Sequence, residues 1–190
     1  MAYHHGDLAT AAIERAYALV LTSPHEAISI RELADALDVT PRAIYRHHGD
    51  RMGILQAVAA MAFDELCQRI EGKLERHKGD ARAALMEAYV RFALESATRY
   101  RLMFGLGHGR LREHEALWAT VHRLIVLAEQ AVDLSPLVLD GHARRDHIVA
   151  IWSMAHGLLT LYFGGTIRAA SHRQAHTYIM RQLDVLIEQP

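Results

Sequence analysis

The sequence predicts an all-α fold of about nine helices. Only 4 of the 190 residues are proline, the residue that most strongly interrupts helices. Apolar and polar residues nowhere alternate over the length of a strand, whereas apolar residues recur at intervals of three and four along most of the chain. These observations favour helices joined by short connections throughout.

The N-terminal segment is predicted to hold the first two helices. Asp7 is placed to cap a first helix over residues 8–21, whose apolar residues form a stripe along one side. The sequence SPHE then interrupts the pattern. Ser29 and Glu32 fit the S-x-x-E capping box, in which each side chain bonds a backbone N–H that the helix leaves unpaired. A second helix is therefore predicted over residues 30–37.

A three-residue turn, Asp38-Val39-Thr40, separates the second helix from a third. Asp38 tolerates a left-handed backbone conformation. Thr40 is placed as the N-cap before Pro41, the residue best suited to the first helical position, so a third helix is predicted over residues 41–48. Two short helices joined by a tight turn and packed by a preceding helix are typical of the helix-turn-helix unit, which lays its second helix in the major groove of DNA.

Six further helical segments follow. Asp50 is placed to cap a fourth helix that extends to about Arg76, with Gly53 as a weak point in its first turn. The remaining segments are separated by HKGD, the run GLGHG and the loop DLSPLVLDG. Their predicted bounds are 81–98, 100–105, 111–132, 143–163 and 172–188.

Composition limits the functions that the chain can have. With 21 Lys plus Arg against 22 Asp plus Glu, no global basic field marks a nucleic-acid partner, so DNA binding has to come from a local patch. Cys67 is the sole cysteine, which excludes an intramolecular disulfide. The N-terminus has neither a basic start nor an apolar run, so we expect no signal peptide and a cytoplasmic location.

Residues 148–167 contain no Lys, Arg, Asp or Glu and are about as long as a membrane span. Ser153, His156, Thr160 and the Gly164-Gly165 break make this stretch less apolar than a typical span. A helix that is apolar on most sides can equally be buried in protein. We therefore expect no membrane segment here.

The third helix carries the candidate DNA-binding residues. At about 100° per residue, Ile44 and His48 share the side that faces the core, so His48 is expected to be half-buried with a hydrogen-bond partner. The other side is polar and cationic, and it can donate to phosphates or to guanine edges, unless it is an ordinary solvated helix face. The predicted groove-facing residues are Arg42, Tyr45, Arg46 and His47, with Pro41 and Ala43 beside them. The predicted phosphate contacts are Ser29, Arg31, Thr40 and Arg51.

Residues 28–59, ISIRELADALDVTPRAIYRHHGDRMGILQAVA, resemble the DNA-binding signature of TetR-type transcriptional regulators. The pairs at matching places are Val39-Thr40, Ile44-Tyr45, Asp50-Arg51 and Ile54-Leu55. The segments YHHGDL and YRLMFG, with Trp152, His156 and Gly157, resemble the branch of that family with a WHG-type C-terminal domain. The family usually has an aromatic residue at the place of His48, a glycine at that of Asp38, and an acidic residue around Met52-Gly53.

The resemblance implies two domains. Residues 4–64 would form the helix-turn-helix DNA-binding domain, and residues 65–190 a domain that binds an effector and forms the dimer. The eighth and ninth predicted helices carry more apolar surface than one core can cover, which by itself favours pairing with their copies in a second subunit. Such regulators are dimers, most often repressors, that bind a near-palindromic operator and are released by a small molecule.

The resemblance also suggests where the effector binds. Aromatic residues and histidines of the C-terminal helices are candidates to line a pocket for a largely apolar effector, although large aromatic residues are more often simply core. These candidates are Tyr89, Phe92, Phe104, Trp118, His122, Trp152 and His156.

Two other classes of function are less well supported by the sequence. An enzyme is not expected, because the chain contains no G-x-S-x-G, no H-E-x-x-H and no phosphate-binding glycine loop, and no catalytic residue or cofactor is predicted. The alternative to a DNA-binding regulator is a metal sensor, since 14 residues are histidine. His172 and His176 are four apart on a helix and could chelate an ion, as could the segment 142–147, but a full site needs three or four ligands. No metal site is therefore predicted.

Overall fold

The computed structural model of the chain describes residues 5–106 and 114–187. These residues form helices and connecting turns without a strand among them, which confirms the all-α fold. A short 3-10 helix, His25–Ala27, follows the first α-helix. The α-helices are α1 (His5–Val20), α2 (Ile30–Ala36), α3 (Pro41–His48), α4 (Arg51–Leu74), α5 (Ala81–Glu95), α6 (Ala97–Gly105), α7 (Glu115–Asp133), α8 (Gly141–Phe163) and α9 (His172–Ile187).

Several predicted helix boundaries are wrong. The helix α1 begins at His5, so Asp7 lies inside it and not before its first residue. The helix α6 begins at Ala97, where residue 100 was expected. The fifth predicted helix was extended past its end, because Ser96 has an extended backbone with φ −152° and caps α6 instead, accepting the N–H of Arg99 at 3.2 Å. The start of YHHGDL, most of GLGHG and the predicted start of α7 at residue 111 lie outside the described residues.

The described residues divide into two compact units. The first lies within Met1–Glu65 and Ser96–Val121, and the second within Leu66–Glu95 and His122–Pro190. The first division falls within α4, between residues 65 and 66. The helix α6 and the beginning of α7 belong to the first unit.

A buried arginine holds α6 in the first unit. Arg99 is 3% exposed, and its Nη1 donates to the hydroxyl of Tyr17 on α1 and to the carboxylate of Glu65 on α4, both at 3.2 Å. Tyr17 in turn donates to Glu65, and burial together with this bond raises the pKa of Tyr17 to about 12. Ser96 also donates to the carbonyl of Leu21, 3.0 Å away. These bonds explain why α6 packs with α1.

A second buried arginine joins three helices of the second unit. Arg82, at the start of α5, is 6% exposed and bonds the carboxylate of Asp80 at 2.6 Å and the carbonyl of Ile187 at 2.6 Å. Its Nη1 lies 3.0 Å from Nε2 of His147 on α8. A guanidinium only donates, so His147 accepts this bond in its neutral form. Burial, and then the charge of Arg82, lower the pKa of His147.

No helix within the described ranges is both long enough and apolar enough to cross a membrane. The stretch that raised this question forms most of α8, where Ile151, Ala155 and Leu159 are buried. Asp140 caps this helix by accepting the N–H groups of His142 and Ala143, at 3.0 and 2.8 Å.

The junction between α3 and α4 is unusually close. Gly49 has φ 73° and ψ −70°, the backbone of a γ-turn, and the N–H of Asp50 donates to the carbonyl of His48 at 2.8 Å. Asp50 caps α4 as predicted, because its Oδ1 accepts the N–H of Gly53 at 2.8 Å. A Cβ atom added to Gly53 would lie 2.0 Å from the carbonyl oxygen of His48. Gly53 is therefore required by the approach of the two helices.

Replacing Gly53 by Ala is expected to destabilise the protein by about 1–3 kcal/mol, because the backbone of α3 or α4 must move to admit the methyl group. Helix propensity alone predicts the opposite sign, a gain of about 0.5–1 kcal/mol. The measurement is urea unfolding followed by circular dichroism.

Gly72 is the matched control, since it is a second helical glycine on α4. A Cβ atom there would meet only the flexible end of Arg76, at 3.1 Å. Gly72→Ala is therefore expected to gain about 0.5–1 kcal/mol. Equal gains from both substitutions would contradict the close approach at Gly53.

Candidate nucleic-acid interface

The helix-turn-helix unit is built from α2, α3 and the turn between them. Ser29 caps α2 by accepting the N–H of Glu32, although at 3.5 Å the bond is long. Asp38 has φ 54°, the left-handed conformation expected for it. Thr40 occupies the N-cap position of α3 and Pro41 its first helical position, as predicted, but the Thr40 hydroxyl makes no capping bond.

The inner side of α3 is anchored in the core of the first unit. Ile44 is fully buried, and α3 packs against both α1 and α2. The neighbouring helices supply small or branched apolar residues with no exposed surface. These residues are Ala12 and Ala16 of α1 and Leu33 and Ala34 of α2. The predicted division of α3 into an inner and an outer side is therefore confirmed.

The outer side of α3 carries the polar residues that the sequence singled out. Arg42 and Arg46, one helical turn apart, are exposed, and Tyr45 between them is 46% exposed. The remaining candidates on this helix, Pro41, Ala43 and His47, are partly exposed. Arg31 and Thr40 are also exposed, and Ser29 is partly so. The arrangement offers two guanidinium groups and a phenol hydroxyl on one helix face, which can bond base edges and phosphates.

The cationic side of α3 is a local patch. Glu32 and Asp35 on α2 and Asp38 in the turn are exposed nearby along the chain. Their negative charges oppose the approach of a phosphate backbone wherever it passes close to them. The surface suited to DNA is therefore centred on α3, with Ser29 and Arg31 at the start of α2 beside it.

Arg51, predicted as a phosphate contact, bonds the protein backbone. Its Nε donates to the carbonyl of Ile28 at 2.8 Å, and its Nη2 donates to the carbonyl of His25. These bonds direct the guanidinium toward the segment between α1 and α2. Since the partners are backbone carbonyls in a connecting segment, no pattern in the sequence indicated them.

His48 is half-buried with a hydrogen-bond partner, as predicted. Its Nε2 lies 3.2 Å from the carbonyl oxygen of Ala9 on α1. Burial lowers the pKa of His48, and the nearby His47 and His114 lower it further, whereas the bond to Ala9 acts in the opposite direction. The sequence did not reveal Ala9 as the partner.

The close approach at Gly53 could have been recognised from the sequence, because a glycine in the first turn of a helix can mark a close backbone approach.

The candidate effector residues fall into separate groups. In the second unit, Trp152 on α8 donates its Nε1–H to the hydroxyl of Tyr89 on α5 at 3.2 Å, and the ring centroid of His156 lies 5.7 Å from that of Trp152. Phe92, also buried on α5, has the guanidinium carbon of Arg69 5.2 Å from its ring centroid.

Three other candidates lie on α6 and α7. His122 is exposed on α7. Phe104 and Trp118 belong to the first unit, where Phe104 packs against Phe63 and Tyr100 with centroid separations of 5.5 and 4.9 Å. The structure brings Tyr89, Trp152 and His156 into contact.

The histidines do not assemble a metal centre in the part of the chain that the structure describes. Within that part, no three histidine, cysteine or acidic side chains are arranged to hold one ion. The ring of His172 instead packs against that of Tyr162, with centroids 6.3 Å apart.

Comparison with known proteins identifies the family. The family model described as the tetracyclin repressor-like C-terminal domain matches residues 82–186, which is more than half of the chain. The chain therefore belongs to the TetR family of transcriptional regulators. In the HTH-type transcriptional regulator AlkX of Mycobacterium tuberculosis, 79 residues are 29% identical to this chain, and they span 42% of this chain and 37% of that protein.

Solved structures share the fold over nearly the whole chain. A protein of unknown function from Rhodococcus sp. RHA1 is 25% identical, with a TM-score of 0.74 over 98% of each chain. The TetR-family transcriptional regulator PfmR from Thermus thermophilus is 22% identical, with a TM-score of 0.59 over 93% of this chain and 97% of that one. These likenesses agree with an N-terminal helix-turn-helix unit followed by a helical C-terminal part.

Proposed function

We propose that this TetR-family regulator is a cytoplasmic repressor that binds a near-palindromic operator as a homodimer and leaves it when a small-molecule effector binds. The observation that carries the proposal is the two-sided character of α3. Its inner side is fixed by buried Ile44, while its outer side exposes Arg42, Tyr45 and Arg46. A helix held rigidly with cationic residues outward suits the major groove.

The proposed contacts follow from the chemistry of these side chains. Arg42, Arg46 and His47 reach base edges or flanking phosphates, and the hydroxyl of Tyr45 donates to a phosphate. The N-terminus of α3 adds the Thr40 hydroxyl, which makes no capping bond, and the positive end of the helix dipole, which suits phosphate oxygens. Pro41 and Ala43 contribute apolar contact, and Ser29 and Arg31 are the phosphate contacts of α2. Arg51 is left out because it bonds backbone carbonyls.

The proposed dimer forms through α8 and α9. Both helices expose large apolar side chains that water does not favour. These residues are Val149 and Leu161 on α8 and Tyr178 and Val185 on α9. Pairing two copies in a four-helix bundle buries them, and its two-fold axis matches an operator with half-sites about 34–36 Å apart or a multiple of that distance.

The proposed effector site lies around the group of Tyr89, Trp152 and His156 in the second unit. This group combines large apolar rings with a phenol, an indole N–H and an imidazole, and it suits a largely apolar molecule with a polar group. Release requires the effector to bind the form with low operator affinity better than the form with high affinity.

Selection of bound sequences from random DNA tests the operator. The purified protein is expected to enrich one motif with two-fold symmetry, because each protomer presents its own α3 to an identical half-site. Enrichment of no motif, or of one without symmetry, would contradict the proposal.

Replacing Arg46 by Ala tests the docking of α3. If Arg46 bonds a base, the binding free energy for the selected motif is expected to weaken by about 1–3 kcal/mol. If Arg46 bonds a DNA phosphate, the salt dependence of binding is expected to decrease by the equivalent of about one phosphate contact. Fluorescence anisotropy over a range of salt concentrations measures both. Arg76→Ala, just after the end of α4, removes the same charge from an exposed site, and it is expected to leave both quantities unchanged. An Arg46 variant that behaves like this control would refute the docking.

Replacing Val149 by Arg tests the dimer. Around a two-fold axis each substitution places two like charges in the same interface, so the dimer dissociation constant is expected to rise at least about tenfold. Val138→Arg is the control, because Val138 is 95% exposed in the loop before α8. Light scattering across a range of concentrations distinguishes the 21.4 kDa monomer from a particle of twice that mass. A wild-type protein that stays monomeric at micromolar concentrations would rule out the dimer.

A further inference from the structure

We propose that His48 is a positioning residue for DNA recognition, which fixes the C-terminal end of α3 to α1 by donating a hydrogen bond to the carbonyl of Ala9. The inference rests on the proposed DNA-binding role of α3. It goes beyond that role because His48 lies on the inner side of the helix and acts through the residues of the outer side.

The length of α3 makes such an anchor necessary. The helix has eight residues, and a helix this short is not stable without tertiary contacts. Ile44 anchors its middle, where it is fully buried. An apolar contact at one point resists separation, but it resists rotation of the helix about that point only weakly. The bond from His48 to α1 supplies a second fixed point one turn further along, and two points define the direction of the helix.

The backbone of His48 is held as firmly as its side chain. Its carbonyl oxygen accepts the N–H of Asp50 at 2.8 Å, and Gly53 approaches that oxygen more closely than any residue with a Cβ atom could. Since α4 is tied to the backbone of His48, and α1 to its imidazole, a change at this residue alters how α3 sits on both helices.

The chemistry of the bond fixes the state of the imidazole. A carbonyl oxygen only accepts, so Nε2 of His48 carries the proton, and the neutral ring has that nitrogen protonated. A second proton on Nδ1 would place a charge in a half-buried site. Among the described residues, the titratable groups that act on this site are His47 on α3, with its ring centroid 6.5 Å away, and His114 ahead of α7. When these histidines carry charge, they repel an imidazolium at His48.

The direction of the pH dependence follows. Burial lowers the pKa of His48 below its ordinary value of 6.5, so the neutral form is favoured in the anchored arrangement. Between pH 6.5 and the lowered pKa, His48 binds a proton more readily in molecules whose α3 has detached from α1 than in molecules whose α3 is anchored. The contribution of His48 to the ordering of α3 is therefore present above 6.5 and lost progressively below it.

Two variants separate the hydrogen bond from packing. His48→Gln keeps an N–H donor at nearly the same distance from the backbone but does not titrate, and His48→Leu has a similar volume without a donor. Amide hydrogen exchange over residues 41–48 reports the ordering of α3 in the absence of DNA. At about pH 7.5, exchange in the Leu variant is expected to be about two- to tenfold faster than in wild type, the effect of one ordinary hydrogen bond, with the Gln variant close to wild type.

At about pH 7.5, the Leu variant is expected to bind the selected motif more weakly than wild type, and the Gln variant is expected to bind it about as tightly as wild type. Between about pH 7.5 and about pH 5.5, wild type should lose affinity relative to the Gln variant, because only wild type titrates at this position. The ratio of the wild-type affinity to that of the Gln variant removes any pH effect that the two proteins share. A protein that keeps His48 and carries His47→Ala should show the same loss of affinity at low pH. Thermal unfolding at each pH verifies that all variants are folded.

Two results would overturn the inference. Equal exchange of the Leu and Gln variants would refute the positioning role, whether or not DNA binds. Identical pH profiles of wild type and the Gln variant would refute the dependence on the neutral imidazole. Faster exchange in the Leu variant, in a protein that selects no DNA sequence, would support the anchor and refute the proposed function instead.

Discussion

The approach of α4 to the last carbonyl of α3 is the constraint on which the candidate interface depends. Gly53 has no Cβ, which lets α4 begin against the carbonyl of His48, and Gly49 supplies the positive φ that the γ-turn needs. Because α3 is held on its inner side by Ile44, α4 cannot be displaced at this point without disturbing the helix that carries the outward arginines. Bidentate contact with a base edge tolerates little misplacement, so the packing at this junction bears directly on recognition.

Buried arginines give each unit a comparable fixed point. Arg99 and Arg82 are almost completely buried, and a buried charge that loses its partners costs several kcal/mol. Arg99 therefore permits only arrangements in which Tyr17 and Glu65 stay bonded to it. Arg82 likewise requires Asp80 and the end of α9 to stay in place. Exposed ion pairs, by contrast, contribute little because solvent screens them. The buried pairs contribute more to fixing which helices meet than to net stability.

Local signals in the sequence predicted the helix-turn-helix unit correctly, whereas partners distant in sequence were missed. Ser29, Asp38 and Pro41 act within three or four residues, so cap and turn chemistry sufficed for α2, the turn and the start of α3. No local pattern showed that Ser96 bonds the carbonyl of Leu21, just after α1, or that Arg99 bonds Tyr17 of α1, because these partners are 75 and 82 positions away. The same holds for Arg51, whose partners are carbonyls in a connecting segment. Aromatic residues gave no sign of whether they line a pocket or fill a core.

Charge explains why a single α3 is too small a surface for a tight complex. The formal charge of the chain is −1, and the turn before α3 and the outer side of α2 are acidic, so no long-range field assists the approach to DNA. Affinity then depends on a few short-range contacts, of which one copy of α3 offers two arginines. Each phosphate contact contributes through the release of counterions, and a protein that makes few of them binds weakly at physiological salt. In the proposed dimer, two copies of α3 double the contacts. Because the second half-site binds within the same complex, its contribution adds to affinity without a second loss of translational freedom. On this proposal, the apolar faces of α8 and α9 matter to DNA binding as much as the arginines do.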